Sequence, residues 1–267
     1  MTRSLDLTTI RTVLATAEEL GATVPEALTD SHASLLELIA RADTLKAELS
    51  DDIGAKVVAA LDAGTDPLED PAVQQAAIRT VLADRCHAVD RAIDDRTTRY
   101  LTDHGLDLLA CFAGPFADAA ATIDGALDRL GDVDLADTKT VARRGPDAAA
   151  AWAEVQKAEE TIAAVLQAWK ILSTRESGVP RIDKRYRALQ IADVPASDFV
   201  AQTDSTAELT PWELARKGWP LSLAMPDTYA ERVAAVHVEQ ARGAAAREQA
   251  FTDGYRTMHG SGTRTVA

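Results

Sequence analysis

The residues able to do chemistry are few, and their spacing is poor for it. Cys86, His87, His104 and Cys111 form the one cysteine–histidine grouping in the chain. His104 and Cys111 fall two helical turns apart on one face, but no C-x-x-C or H-x-x-x-H pair exists to seed a tetrahedral zinc site. Helix-borne di-iron centres need Glu-x-x-His motifs facing each other, and Asp84-Arg-Cys-His87 is a single imperfect copy. Paired carboxylates occur at Glu18-Glu19, Asp51-Asp52, Asp94-Asp95 and Glu159-Glu160. Magnesium patterns such as D-D-x-x-D add a third carboxylate on the same helical face. None of the four pairs has it, so solvated helix surface is the favoured reading. A G-x-S-x-G elbow, a Walker A loop and a G-x-G-x-x-G turn are all missing. No metal, cofactor or catalytic residue is expected.

Two other sets of side chains stand out. Arg181, Lys184, Arg185 and Arg187 place four cations around Tyr186 within seven residues. Such a cluster could grip phosphates while the tyrosine stacks on a base. It could equally lie against the acidic first half of its own chain or of a neighbour's. Residues 1–145 hold 14 Lys+Arg against 26 Asp+Glu, a balance of −12, whereas residues 146–267 hold 14 against 16. Charge complementarity therefore favours the second reading. Trp212 and Trp219, with Tyr186 and Phe199, are aromatics set among prolines and polar residues. They suit docking onto a partner, or pinning their segment onto this chain's own helices. These seven residues, Arg181, Lys184, Arg185, Tyr186, Arg187, Trp212 and Trp219, are the candidate interaction residues.

The elements that must position them are helices. Ile10, Val13, Leu14, Ala17 and Leu20 recur at helical spacing up to Gly21. Thr23-Val-Pro-Glu26 has capping-box spacing for a brief turn. A second helix follows through Leu35, Leu38, Ile39, Ala42, Leu45 and Leu49, with a continuation or new start near Ser50 or Asp51. Asp70-Pro71 opens another run, because aspartate caps well and proline suits the first helical position. Its stripe is Ile78, Leu82, Cys86, Val89, Ile93, Thr97 and Tyr100, resuming as Phe112, Phe116, Ala120, Ile123, Leu127 and Leu130. One unbroken helix over 71–130 would be about 90 Å long, so breaks are expected at Gly105 or Gly114. Gly145-Pro146 starts a helix with Trp152, Val155, Ile162, Leu166 and Trp169 on one face, closed by Gly178 and Pro180. Beyond it the helical period lapses, apart from a capped turn at Thr210-Pro-Trp-Glu213 and a last helix over 227–251.

The totals agree. Hydrophobic residues make up 46% and aromatics 4%, a composition suited to close helix packing in alanine, leucine and valine. Net charge is −14, which disfavours broad contact with nucleic acid or anionic membranes and fits a basic partner. Two cysteines cannot define a disulfide framework, and the N-terminus lacks a signal-peptide core, so a cytoplasmic protein is expected, or one built into a particle there. The expected fold is all-α: long amphipathic helices in an elongated bundle or coiled-coil-like hairpin. The expected divisions are a helical body over 1–177, an irregular segment containing aromatics and prolines over 178–226, and a C-terminal helix and tail over 227–267. The expected role is a non-enzymatic structural, assembly or adaptor protein acting on other subunits or on itself, such as a phage virion component. An all-helical enzyme using His104, Asp107 and nearby carboxylates is the alternative, followed by a nucleic-acid-associated factor working through 181–187.

Overall fold

The computed structural model describes residues 5–49, 52–202 and 209–260, with side chains up to 252. They are all-α, about 78% helical. Twelve α-helices and a single 3-10 turn make up the fold, with an isolated antiparallel bridge, Ala192 to Leu221, as the extended pairing among the described residues.

Three helices laid end to end form a spine: α4 (Pro71–Asp84), α5 (Cys86–Ala110) and α6 (Ala113–Leu130). The expected breaks at Gly105 and Gly114 are corrected here, since both glycines are helical and the joints fall at Arg85 and at Cys111-Phe112. Arg85 (φ −88°, ψ −6°) and Phe112 (φ −84°, ψ −6°) keep right-handed helical backbone, so the spine tightens locally without unwinding. Gly105 serves packing instead. A Cβ there would lie 2.2 Å from the Ser177 carbonyl oxygen, so the missing side chain lets α5 touch the turn after α8.

Helix α8 (Pro146–Leu172) runs back along α6 and makes the most extensive contact in the fold. Its buried line is Ala148, Ala151, Val155, Ala158, Ile162, Val165, Trp169 and Leu172, spaced alternately by three and four. The α6 line is Phe112, Phe116, Ala119, Ile123, Ala126 and Leu130 in the same rhythm. Alanine therefore sits at the seam, where it allows close helix approach, while Trp152, Leu166, Ala120 and Leu127 flank it half-buried. Each fully buried isoleucine or phenylalanine contributes roughly 1.5–3 kcal/mol. Gly145 (φ 101°) and Pro146 start α8 as expected, but the helix ends at Leu172, ahead of Gly178. There Ser173 and Thr174 turn their hydroxyls onto the Lys170 and Ile171 carbonyls.

Helix α1 (Leu5–Glu19) packs on α5 and α8. The brief turn at Glu26 and the second helix are one element, α2 (Glu26–Leu49), which runs antiparallel to α5; Tyr100 donates to the Leu28 carbonyl at 3.0 Å and Lys46 pairs with Asp90. α3 (Ile53–Asp62) starts on the Asp52 cap, and Asp70 caps α4 through the Ala72 and Val73 amides.

The 178–226 segment folds over its own chain. After the turn Lys184–Tyr186 come α9 (Arg187–Ile191), α10 (Ala196–Ala201) and α11 (Pro211–Arg216), the last with both bonds of the Thr210/Glu213 capping box. α12 (Pro226–Gly260) closes the fold and is longer than expected. The part of the expected C-terminal tail over 261–267 lies outside the described residues. The segment is tied down by one partly buried guanidinium. Arg232 donates to the Leu189 and Ala192 carbonyls at 2.9 Å each and to the Ser222 hydroxyl at 2.7 Å.

Candidate functional site

The titratable groups do not converge. Among the described residues, no three His, Cys, Asp or Glu side chains could share a metal ion. His104 Nδ1 stands 3.8 Å from an Asp107 carboxylate oxygen, one turn on, between two shallow depressions on either side of it. Its neighbours are already committed. The Tyr100 ring packs edge-on against it at 4.9 Å, while the Tyr100 hydroxyl is spent on Leu28 and burial pushes its phenol up to about 12. Burial also raises the Cys111 thiol, which donates to the Asp107 carbonyl in its own helix. His32 is pushed down, first by burial and then by the nearby Arg11 guanidinium, and its Nε2 is buried without a hydrogen-bond partner. A phenol and a thiol held protonated by their surroundings are poor nucleophiles or bases at neutral pH. This cluster of α2 and α5 is better at packing than at proton transfer.

The candidate interaction residues divide into two groups. Trp212 is buried and donates its indole N–H to the Val133 carbonyl at 3.0 Å. Trp219 is buried too, 3.4 Å from an Asp198 carboxylate oxygen. Glu159 of α8 accepts from the Trp212 amide, and burial raises its carboxyl above the usual range. The two open alternatives for these aromatics thus resolve onto this chain's own helices. Tyr186 is half-buried between Phe199, stacked at 5.8 Å, and His237, whose Nε2 lies 2.9 Å from the phenol oxygen. The cations stay outside. Arg185 pairs with Asp183 at 2.7 Å and Arg181 reaches the Ser173 carbonyl. Lys184 and Arg187 are exposed and meet no carboxylate among the described residues. None of the four pairs with the acidic first half of its own chain there.

A third surface was not foreseen as a site. Among the described residues twelve large apolar side chains are exposed, and eight of them lie between Leu38 and Leu82. Helix α4 buries Val73 and Ala76 toward α2 and α3, yet leaves Ile78, Val81 and Leu82 at 63, 61 and 50% exposure. The stripe expected from Ile78 to Tyr100 is therefore covered at its tyrosine end and open at its start. Sequence periodicity marked Ile78 and Leu82 as a seam, but it carries no sign of whether the covering helix is in the same chain.

The spine run Pro71–Leu130 holds a window long and apolar enough, by length and composition alone, to cross a membrane; 39% of it is buried inside the protein. No family model, no curated protein and no solved structure matches this chain.

Proposed function

We propose that this is a non-enzymatic helical assembly or adaptor protein that works by protein–protein contact through the arm formed by α3, α4 and the adjoining halves of α2 and α5. The observation that carries the reading is the outward face of Ile78, Val81 and Leu82 on a helix whose other side is already packed. Exposed apolar clusters of this kind mark interaction surfaces in water-facing proteins. Cytoplasmic residence, incorporation into a larger particle such as a virion, and coiled-coil-like pairing of the helices all fit that role. The acidic balance supports protein partners over nucleic acid or anionic lipid. The test is a photo-crosslinking amino acid placed at residue 78 or 82, with exposed Glu160 on α8 as the control position, in cells that make the protein. The expected result is discrete crosslinked protein species from positions 78 and 82 and few from 160. Equal or absent crosslinking at all three would overturn the proposal.

The enzyme alternative keeps only the His104–Asp107 pair in its favour. The phosphate-gripping alternative keeps the open cations Lys184 and Arg187.

A further inference from the structure

Resting on the assembly reading above, we infer that the occupant of the arm is a second copy of this chain, docked head to tail through its 181–187 cation cluster. The chain leaves two surfaces unspent, and they are opposite in character. Residues 36–99, which build the arm, hold 13 Asp+Glu against 8 Lys+Arg, a balance of −5 carried by α2, α3, α5 and the links between them, while α4 itself holds one cation, Arg79, and one carboxylate, Asp84. Residues 181–187 hold four cations and one carboxylate, a balance of +3, and only Arg185 uses that carboxylate. The cluster also has apolar surface beside it. Tyr186 contacts His237 of α12, and the next residue of that helix, Val238, is 69% exposed. A basic patch with an apolar neighbour on the 181–187 segment thus complements an arm that is net acidic and exposes apolar side chains.

Charge decides between this arrangement and arm-to-arm pairing. Two copies of the arm would bring like charges together, which costs energy that salt relieves. Arm-to-cluster docking brings opposite charges together, which salt weakens. A contact between two different patches is heterologous, so it builds rings or open chains instead of closed pairs. The expected species are therefore a concentration-dependent series, loosened by added salt.

The experiment uses two full-length variants and light scattering coupled to size separation. Ile78→Asp/Leu82→Asp breaks the arm, and Lys184→Glu/Arg187→Glu reverses the cluster; all four positions are exposed, so folding should survive, as circular dichroism would check. Wild type is expected to associate, each variant alone to associate about tenfold or more weakly, and the two mixed to form a one-to-one complex, because each still carries the half the other lacks. A mixture that stays monomeric overturns the inference. So does a cluster variant that associates like wild type while the arm variant does not, an outcome that leaves the assembly reading standing with the arm pairing on itself. A monomeric wild type also overturns self-docking, and crosslinking at 78 and 82 then decides separately whether another protein fills the arm.

Discussion

The arm and the body are made from the same material and end in different states. Both are alanine-, leucine- and valine-rich helices with regular apolar lines. In the body, α6 is covered by α8 and α11, and α8 in turn by α1, α7 and α11, so one continuous core runs from Leu7 to Val236. That core stops at Leu35 and Tyr100. Beyond them, Ala42, Leu49, Ala60, Val73 and Ala76 are buried but lie outside it, because the arm offers each helix too few neighbours. The lesson is that helical periodicity fixes where a seam lies, whereas the number of neighbours fixes whether both sides of a helix are spent.

Substitutions should expose the contrast most sharply at large side chains. Trp169 is buried at 1% exposure and donates to the Pro180 carbonyl at 3.0 Å. Trp169→Ala is expected to cost about 3–5 kcal/mol in a denaturant titration. Ile78→Ala, on the open arm, should change stability by about 0.5 kcal/mol or less. A comparable loss at both positions would erase the distinction.

Glycines give a second, smaller contrast. Gly105→Ala must push Ser177 backbone away and should cost about 1–3 kcal/mol, although alanine is the better helix former. Gly125, in α6, has nothing within 4 Å of a new Cβ, so Gly125→Ala should stabilise by about 0.5–1 kcal/mol. Equal effects from the two would refute the close approach. In the arm, Asp70→Ala removes the acceptor for two α4 amides and should cost about 1 kcal/mol, seen as faster exchange of the Ala72 and Val73 amides.

The smallest effect is a pH dependence at Glu159. Its folded pKa is raised above the ordinary 4.5, chiefly by burial. The protonated form is thus favoured by folding, and that contribution is present below 4.5 and lost as pH rises through the folded value. Glu159→Gln should be more stable than wild type at neutral pH, with the gap closing in acid. A gap that widens on acidification would reverse the sign of the burial argument.

Much of the fold was legible in the residues. Caps at Asp70-Pro71, Gly145-Pro146 and Thr210–Glu213 set helix starts that the structure keeps. Alanine was the weak point. In a chain this rich in it, Ala119 and Ala126 look no different from surface alanines, so the α6 seam was read one position off, through Ala120 and Leu127. The spine joints escaped because helical backbone at Arg85 and Phe112 needs neither glycine nor proline. The short helices over 187–201 escaped because α9 is held by Arg232 from a distant helix and α10 packs on that same helix, neither relying on its own periodicity. The open arm was invisible for the reason the comparison gives.

Amide hydrogen exchange across a range of protein concentrations tests that openness most directly. Peptides from α4 are expected to exchange quickly in dilute protein and to gain protection as copies associate, while peptides from α8 stay protected throughout. If α4 is as protected as α8 in the most dilute sample and does not change with concentration, the arm is complete by itself and the account is contradicted.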